Sequence, residues 1–409
     1  MTPPPAKILR VITRLNIGGP SLHAACLSTG LDPQRSSTCL VIGEPEATEG
    51  NLIGLVQGSA ARVIRLPTLV RPIDPWADLR ALVGLLRIVW RERPAVIHTH
   101  MAKAGALGRM AGFLYNGVGP GRRTGGRAVI VHTFHGHVLD GYFPTWVSRL
   151  FVLTERWLAR WTDGLIAVSP AIRDDLLLRW RIGRKAQWRV IPLGLDLSAL
   201  SRMSPPGGAG ALRIGLVGRL VPIKNPALFL QALAQLGGRD GSVTGVVVGD
   251  GPLRAPLERQ AQELRLDGLV RFAGWQRDLA SVYGGLDAAC VTSWNEGTPV
   301  SLIEAMAAGR AVVATDVGGV RDLLADGAAG GAAIAPGTFE VAARGILIRP
   351  GDAAGLAAAL RRLGDDGPLR RSLGEAGRAF VAERHTEERL LHDIERLYSE
   401  LLSERRRVR

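Results

Sequence analysis

Ser293-Trp294-Asn295-Glu296-Gly297-Thr298-Pro299-Val300-Ser301-Leu302-Ile303-Glu304-Ala305-Met306-Ala307-Ala308-Gly309 is the stretch on which the fold turns. The apolar run Ala288 to Thr292 enters it and an amphipathic helical pattern leaves it, the strand–turn–helix junction of a βα unit. Thr298 reads as the helix N-cap and Pro299 as the first helical residue, where a missing N–H costs nothing. Free amides around Gly297, Thr298, Val300 and Ser301 then open at the carboxyl edge of a sheet and offer a seat for a phosphate. A phosphate there would repel Glu296, which is better suited to accept hydroxyls of a neutral ring. Glu304 follows mostly along helix at 1.5 Å per residue, so the two carboxylates fall roughly 10 Å apart. That separation suits a hexose and a ribose of one ligand, whereas a glycosidase pair flanks one bond at about 5 or 6.5–9.5 Å. A helix-terminus charge at Glu296 and a surface position for Glu304 are the plain alternative.

Other strand ends lie upstream. Val217-Gly218-Arg219-Leu220-Val221-Pro222-Ile223-Lys224-Asn225-Pro226 runs a strand into a tight turn at Gly218 and sets Arg219 and Lys224 on one loop. A guanidinium forks onto a diphosphate and an ammonium adds a compact charge, so the pair suits a leaving group whose negative charge grows. Solvated loop cations are the alternative. Val248-Gly249-Asp250-Gly251-Pro252 is another turn of this kind, and in Gly274-Trp275-Gln276-Arg277-Asp278 the residues Trp275 and Arg277 are candidates to contact a base.

Apolar runs followed by amphipathic helical patterns recur along the chain, which predicts βα units around parallel sheets. Strands are expected near Ile8–Thr13, Cys39–Ile42, Arg62–Leu66, Ala95–Thr99, Ala128–Thr133, Leu165–Val168 and Trp188–Ile191 in the first half. In the second they are expected near Arg213–Val217, Thr244–Val248, Val270–Ala273, Ala288–Thr292, Ala311–Ala314 and Gly345–Ile348. Each half opens with a strand entering a glycine-bearing turn. The expected fold class is therefore α/β, with two Rossmann-like domains facing across a cleft and ligands at the strands' carboxyl ends. Residues 1–203 and 211–384 form the two domains, and the Pro/Gly-rich segment 204–210 links them. Residues 385–409 form a C-terminal helix expected to pack back on the first domain, its tip Arg405-Arg406-Arg407-Val408-Arg409 frayed into solvent.

In the first half, Gly18-Gly19-Pro20 either lets the backbone approach a ligand or is a structural turn. Histidines gather in two strand-end segments, His98-Thr99-His100-Met101-Ala102-Lys103 and His132-Thr133-Phe134-His135-Gly136-His137. No carboxylate or cysteine completes a tight ligand set with them, so no metal is expected. Cys26, Cys39 and Cys290 form no CxxC pair and read as buried thiols in a reducing compartment.

Glu296 and Glu304, in E-x7-E spacing behind the Gly-Arg...Lys loop, resemble the donor site of retaining glycosyltransferases of family four, group 1 glycosyl transferases on the GT-B fold. The likeness covers nearly the whole chain, including Val190-Ile191-Pro192-Leu193-Gly194-Leu195-Asp196 and Asp316-Val317-Gly318-Gly319-Val320. It implies a nucleotide-sugar donor: Arg219 and Lys224 on the diphosphate, Glu304 on the ribose, Glu296 on the transferred sugar. It further implies that the Gly18-Gly19 loop closes on the diphosphate and the acceptor, and His135 matches the family's cleft histidine beside the transferred sugar. His135, Glu296, Arg219 and Lys224 are thus the catalytic candidates. The donor set adds Gly18, Gly19, Gly218, Gly297, Thr298, Val300 and Glu304. His100, Lys103 and His137 stay open between acceptor contacts, phosphate contacts and ordinary loop hydrogen bonds. The family resemblance implies retention of configuration and no metal or other cofactor, and no Asp-x-Asp motif contradicts it. One departure is Gly330 to Arg344, longer than the family's usual turn, a lid or a tolerated loop.

With 409 residues, 46% hydrophobic and 22% charged, two folded domains are expected and disorder is not. The net charge of +14 is lopsided: residues 1–205 carry 26 Lys/Arg against 13 Asp/Glu, the remainder 25 against 24. An Arg-rich genome is the bland account, but it should affect both halves; an anionic partner facing the first half explains the asymmetry better. Pro144 to Asp163 sets Trp146, Leu150, Leu153, Trp157 and Trp161 at helical spacing, with Arg149, Arg156 and Arg160 on a separable face. Such a segment is either an interfacial helix or a core helix whose arginines snorkel outward. No apolar run approaches the ~20 residues of a membrane span, and no secretion signal is visible. The expectation is a cytoplasmic enzyme, peripheral on the inner membrane face, acting on a lipid-linked sugar in surface polysaccharide assembly. An epimerase or hydrolase on the same fold is the alternative. A polyanion-binding protein is the non-enzymatic one, although no nucleic-acid module is visible.

Overall fold

Apolar runs too short for helices make strands buried on both faces, and helices between them return the chain to one starting edge. The computed structural model describes residues 5–44, 50–123, 126–136, 145–206, 211–237, 243–326 and 333–407. Two units emerge: Met1–Leu195 together with Glu387–Arg409, and Asp196–Thr386. The break falls at Leu195, ahead of the 204–210 segment expected as linker, of which 207–210 lie outside the described residues.

The first unit is built on β1 (Ala6–Ile12), β2 (Ser36–Ile42), β3 (Arg62–Arg65), β4 (Val96–His100), β5 (Val129–Phe134), β6 (Gly164–Ala167) and β7 (Trp188–Val190). They form one parallel sheet in the order β3-β2-β1-β4-β5-β6-β7. Strand order reverses between β1 and β4, the place where open parallel sheets leave a crevice at their carboxyl ends. Helix Glu387–Arg407 packs Leu390, Ile394, Leu397 and Leu401 onto Ile8, Val96, Val129 and Ile166 of this sheet. The Tyr398 hydroxyl reaches His98 Nδ1 at 2.6 Å and Arg10 at 3.2 Å. The chain tip does not simply fray, because Arg405 lies 3.6 Å from Asp163.

The helix expected within Pro144–Asp163 spans Thr145–Ala159, with Pro144 outside the described residues. The helix is only partly buried. Ser148, Val152, Leu158 and Ala159 face inward, and Glu155 beside them pairs with the buried Arg109 at 2.7 Å. Trp146 is 71% exposed, Leu150 58% and Leu153 60%, with Arg149 and Arg160 exposed as well, so the apolar and cationic faces are not separate. The inner and outer sets both repeat at helical spacing, so periodicity alone could not say which is buried. The buried ion pair and the packing of Val152 and Leu158 favour the observed face.

The second unit carries β8 (Leu212–Val217), β9 (Val243–Val248), β10 (Val270–Gly274), β11 (Ala288–Val291), β12 (Ala311–Thr315), β13 (Phe339–Ala342) and β14 (Gly345–Ile348). Their order is β10-β9-β8-β11-β12-β14-β13, parallel except for the β13–β14 hairpin, and it reverses between β8 and β11. The stretch Gly330–Arg344, expected as a lid or loop, therefore contains an edge strand, while 330–332 lie outside the described residues. Arg344 at the hairpin turn explains why it folds back: the guanidinium donates to the Leu323 carbonyl at 2.7 Å, pairs with Asp326 and covers the Phe380 ring at 4.1 Å. Among the described residues no helix is long and apolar enough to cross a membrane.

Ile394 is fully buried against the first sheet. Ile394→Ala should destabilise the first unit by about 2–4 kcal/mol, whereas the exposed Arg396→Ala should change it by less than about 0.5 kcal/mol. Denaturant titration of both variants checks this.

Candidate functional site

The loops after β8 and β11 meet where the second sheet reverses its strand order. Gly218 leaves β8 and its amide donates to the Val248 carbonyl at 2.9 Å; Gly249 in turn donates to the Gly274 carbonyl at 2.8 Å. Only glycine fits at 249: φ is +129°, and a Cβ would stand 1.9 Å from the Gly218 carbonyl oxygen. The loop from β8 then folds into a single turn, Pro222–Lys224, ended by Asn225 in the left-handed conformation. Two hydrogen bonds latch it to the end of β11, Trp294 N–H to the Ile223 carbonyl at 2.9 Å and Thr292 Oγ1 to the Lys224 carbonyl at 3.0 Å.

This latch sets Lys224 Nζ 2.5 Å from Glu296 Oε1, to which Ser293 Oγ also donates at 2.6 Å. Gly218, Arg219, Lys224, Ser293, Glu296 and Ser301 line one cavity. The Arg219 guanidinium has no side-chain partner among the described residues, so one cation in the cavity is paired and the other is open. Gly318 holds Glu296 from behind, where a Cβ would lie 1.8 Å from the Glu296 carbonyl oxygen, and Gly319 donates to the Gly297 carbonyl at 3.0 Å.

The helix begins one residue later than expected. It spans Val300–Ala307 with Pro299 as N-cap and no capping side chain, so Thr298, buried beside it, is not the cap. Pro299 is extended, and its carbonyl accepts from Leu302 and Ile303 at 3.2 and 3.4 Å. The amides of Val300 and Ser301 then find no acceptor within the helix. Glu304 sits one turn further, half-buried, with Oε2 2.9 Å from the Tyr283 hydroxyl, which also lies 3.1 Å from the Ser301 carbonyl. Burial raises the Glu304 carboxyl to about 7, partly opposed by the Tyr283 hydrogen bond. Sequence reading missed Tyr283, which stands in no pattern that marks it, and gave no role to Ser293 although it opens the decisive stretch. Trp275 and Arg277 are exposed on the loop after β10 and are not among the residues lining the cavity.

In the first unit, Gly18 and Gly19 start the helix Gly19–Thr29 after β1. That helix carries His23, not singled out from the sequence, onto the histidines after β4 and β5. His100 Nδ1 lies 3.1 Å from His135 Nε2, and the His23 ring centre lies 5.5 and 4.9 Å from those of His100 and His135. Burial, chiefly, lowers the pKa of all three, that of His135 to about 3, and leaves the rings neutral. Lys103, a candidate ligand contact, is instead tied to Asp78 at 2.5 Å and to the Pro72 carbonyl. His137 lies outside the described residues.

Chemically, the second-unit cavity can neutralise an anionic group with Arg219, Lys224 and helix-start amides while carboxylates beside it accept hydroxyls. Comparison with known proteins points the same way. The family model described as glycosyl transferases group 1 matches residues 209–380, and that of the glycosyl transferase 4-like domain matches residues 18–194. The UDP-Gal:alpha-D-GlcNAc-diphosphoundecaprenol alpha-1,3-galactosyltransferase of Escherichia coli is 26% identical over 272 residues, 64% of this chain and 67% of that protein. A D-inositol 3-phosphate glycosyltransferase of Kineococcus radiotolerans is 30% identical over 273 residues, 60% of each chain. Among solved structures, Anabaena Alr3699/HepE in complex with UDP and glucose superposes with a TM-score of 0.75 at 21% identity, covering 96% of this chain and 99% of that one.

The raised Glu304 pKa carries a sign that can be checked. The folded chain holds this proton more tightly than the unfolded one, so the stabilisation is complete below about pH 4.5 and is lost as pH rises through about 7. Glu304→Gln should exceed the parent in stability by on the order of 1–3 kcal/mol at pH 8 and match it near pH 4. Denaturant titrations at the two pH values measure it.

Proposed function

We propose that this chain, which belongs to the group 1 glycosyl transferases, moves a hexose or N-acetylhexosamine from a nucleoside diphosphate sugar to an acceptor held by its basic first unit, with retention of configuration. The observation that carries this is the cavity in which Arg219 and Lys224 stand beside Glu296 at the start of a helix. In the proposed complex Arg219 forks onto the diphosphate. Lys224 has three N–H donors, so it keeps Glu296 while giving another to a phosphate oxygen. The Val300 and Ser301 amides add to the same charge. Glu296 accepts hydroxyls of the transferred sugar and Glu304 those of the ribose. Two side-chain cations and a helix start meet the diphosphate's charge, so a metal has no part in this arrangement.

The bond from the anomeric carbon to the diphosphate breaks as the acceptor oxygen bonds to the same face, and the departing phosphate oxygen takes the acceptor's proton. Catalysis is then positional and electrostatic, since charge grows on the leaving group where the cations already stand. The name of the Escherichia coli relative, with its UDP-linked donor and diphosphoundecaprenol acceptor, favours a uridine donor and a lipid-linked acceptor here. So do the basic surplus of residues 1–205 and the exposed Trp146, Leu150 and Leu153 among arginines, which together suit an anionic bilayer surface.

Arg219→Ala and Lys224→Ala should each lower turnover by about 10²–10³-fold while keeping the parent's fold by circular dichroism. UDP should raise the melting temperature of the parent more than that of either variant. Parent-like turnover in both would exclude the assignment. For the surface, the parent should sediment with vesicles containing phosphatidylglycerol at low salt and be released at high salt, and Trp146→Glu with Leu150→Glu should abolish binding. Equal sedimentation of parent and double variant would remove that helix from the contact.

A further inference from the structure

Tyr283 sits on the short helix Leu279–Gly284 and is completely buried, yet its hydroxyl has two acceptors, Glu304 Oε2 at 2.9 Å and the Ser301 carbonyl at 3.1 Å. Ser301 and Glu304 stand three residues apart on one face of the helix Val300–Ala307, the first lining the donor cavity and the second one turn further on. A phenol carries one proton, and a carbonyl can only accept. Burial holds Tyr283 well above the usual tyrosine range, so the ring stays a phenol. Its proton therefore has two arrangements. With Glu304 ionised, the hydroxyl donates to the carboxylate and leaves the carbonyl. With Glu304 neutral, the carboxyl donates to the phenol oxygen and the phenol donates to Ser301.

We infer that Tyr283 is a positioning residue for the nucleotide-sugar donor, its single proton fixing Glu304 Oε2 and setting whether the carboxylate offers the ribose a charged oxygen. This role rests on the ribose contact proposed above for Glu304. The phenol engages Oε2, and Oε1 has no partner among the described residues, so Oε1 is the atom left for ribose hydroxyls. Charge-assisted hydrogen bonds are roughly twice as strong as neutral ones, so the ionised carboxylate holds a ribose better. Burial opposes that form and puts the carboxyl at about 7, while the Tyr283 hydrogen bond favours it. Helix Val300–Ala307 packs on β11, β12, the short helix Ser198–Ser201 and the helix Gly367–Arg384. Among the described residues Tyr283 is the titratable group that meets Glu304, and no charged side chain from those elements shifts it. The bond to Ser301 ties the same phenol to the turn bearing the Val300 and Ser301 amides, so one buried hydroxyl steadies both the ribose and the phosphate ends of the seat.

The affinity of the full chain for UDP, measured by calorimetry between about pH 5.5 and 8.5, reads this proton. In the parent it should weaken as pH falls through about 7, to roughly tenfold weaker near pH 6 than near pH 8. Glu304→Gln should lose that step and keep only the titration of the diphosphate, which every variant shares. Tyr283→Phe removes a donor to the carboxylate and should move the step up by about one pH unit. 3-Fluorotyrosine in place of Tyr283, a stronger donor of nearly the same shape, should move the step down at the parent's melting temperature, and it carries the decision where the phenylalanine variant does not fold. An unchanged midpoint with altered residue 283, while Glu304→Gln still lacks the step, overturns the role of Tyr283 alone. UDP binding by Glu304→Gln that matches the parent at every pH removes Glu304 from the ribose, and Tyr283 with it.

Discussion

A parallel strand can be re-entered only from its own starting edge, so each crossover leaves its following loop at the opposite, carboxyl edge. The parallel strands of both sheets obey this constraint, and among them the order reverses once in each sheet, between β1 and β4 and between β8 and β11. At those reversals two loops diverge to opposite faces and leave room that no helix fills. The Lys224 loop and the Glu296 turn flank one such gap, and the helix bearing His23 and the end of β4 bearing His100 flank the other. Residues far apart in sequence meet there because topology leaves them nowhere else to be.

The gap in the second unit is made rigid by backbone contacts before any charge is placed in it. Gly249 brings β8 and β9 ends together, Gly318 lets a later loop press on the Glu296 carbonyl, and Thr292 and Trp294 clamp the Lys224 turn. Only then can Lys224 and Glu296 stand 2.5 Å apart with Ser293 fixing the carboxylate. The two cations are left unequal. Lys224 shares its charge with a buried acid, whereas Arg219 on the same loop has no such partner among the described residues. A pocket of this kind favours a ligand that has both an anionic part for the open guanidinium and hydroxyls for the acids.

The βα rhythm, both sheets and the glycine-bearing turns at strand ends were legible in the sequence, because strands buried on both faces are plain apolar runs. What was not legible lay where a partner distant in sequence decides the outcome. β13 is a four-residue edge strand, and its folding depends on Arg344 finding the Leu323 carbonyl and Asp326. Thr298 has the right chemistry for a cap, but Pro299 adopts the extended conformation and takes that place itself. Tyr283 and His23 carry no motif and become neighbours of Glu304 and His100 only through packing. Lys103 looked available beside the strand-end histidines, and Asp78 from another helix occupies it.

The helix Thr145–Ala159 shows how a buried ion pair can add to the choice between two apolar stripes. Its inward stripe mixes Val152, Leu158 and Ala159 with Ser148 and Glu155, and its outward one holds Trp146, Leu150, Leu153 and Trp157. Each exposed large side chain forgoes roughly 1.5–3 kcal/mol of burial, but rolling the helix would expose the buried Val152 and Leu158 in exchange. Arg109, itself 1% exposed, adds to the cost of that roll: turning Glu155 outward would strand a guanidinium in the core, which costs about 3–5 kcal/mol. Glu155 therefore stays inward and the tryptophans stay out, beside Arg149 and Arg160. The result is an exposed stripe in which apolar and cationic side chains are interleaved, beside an inner face held by an ion pair.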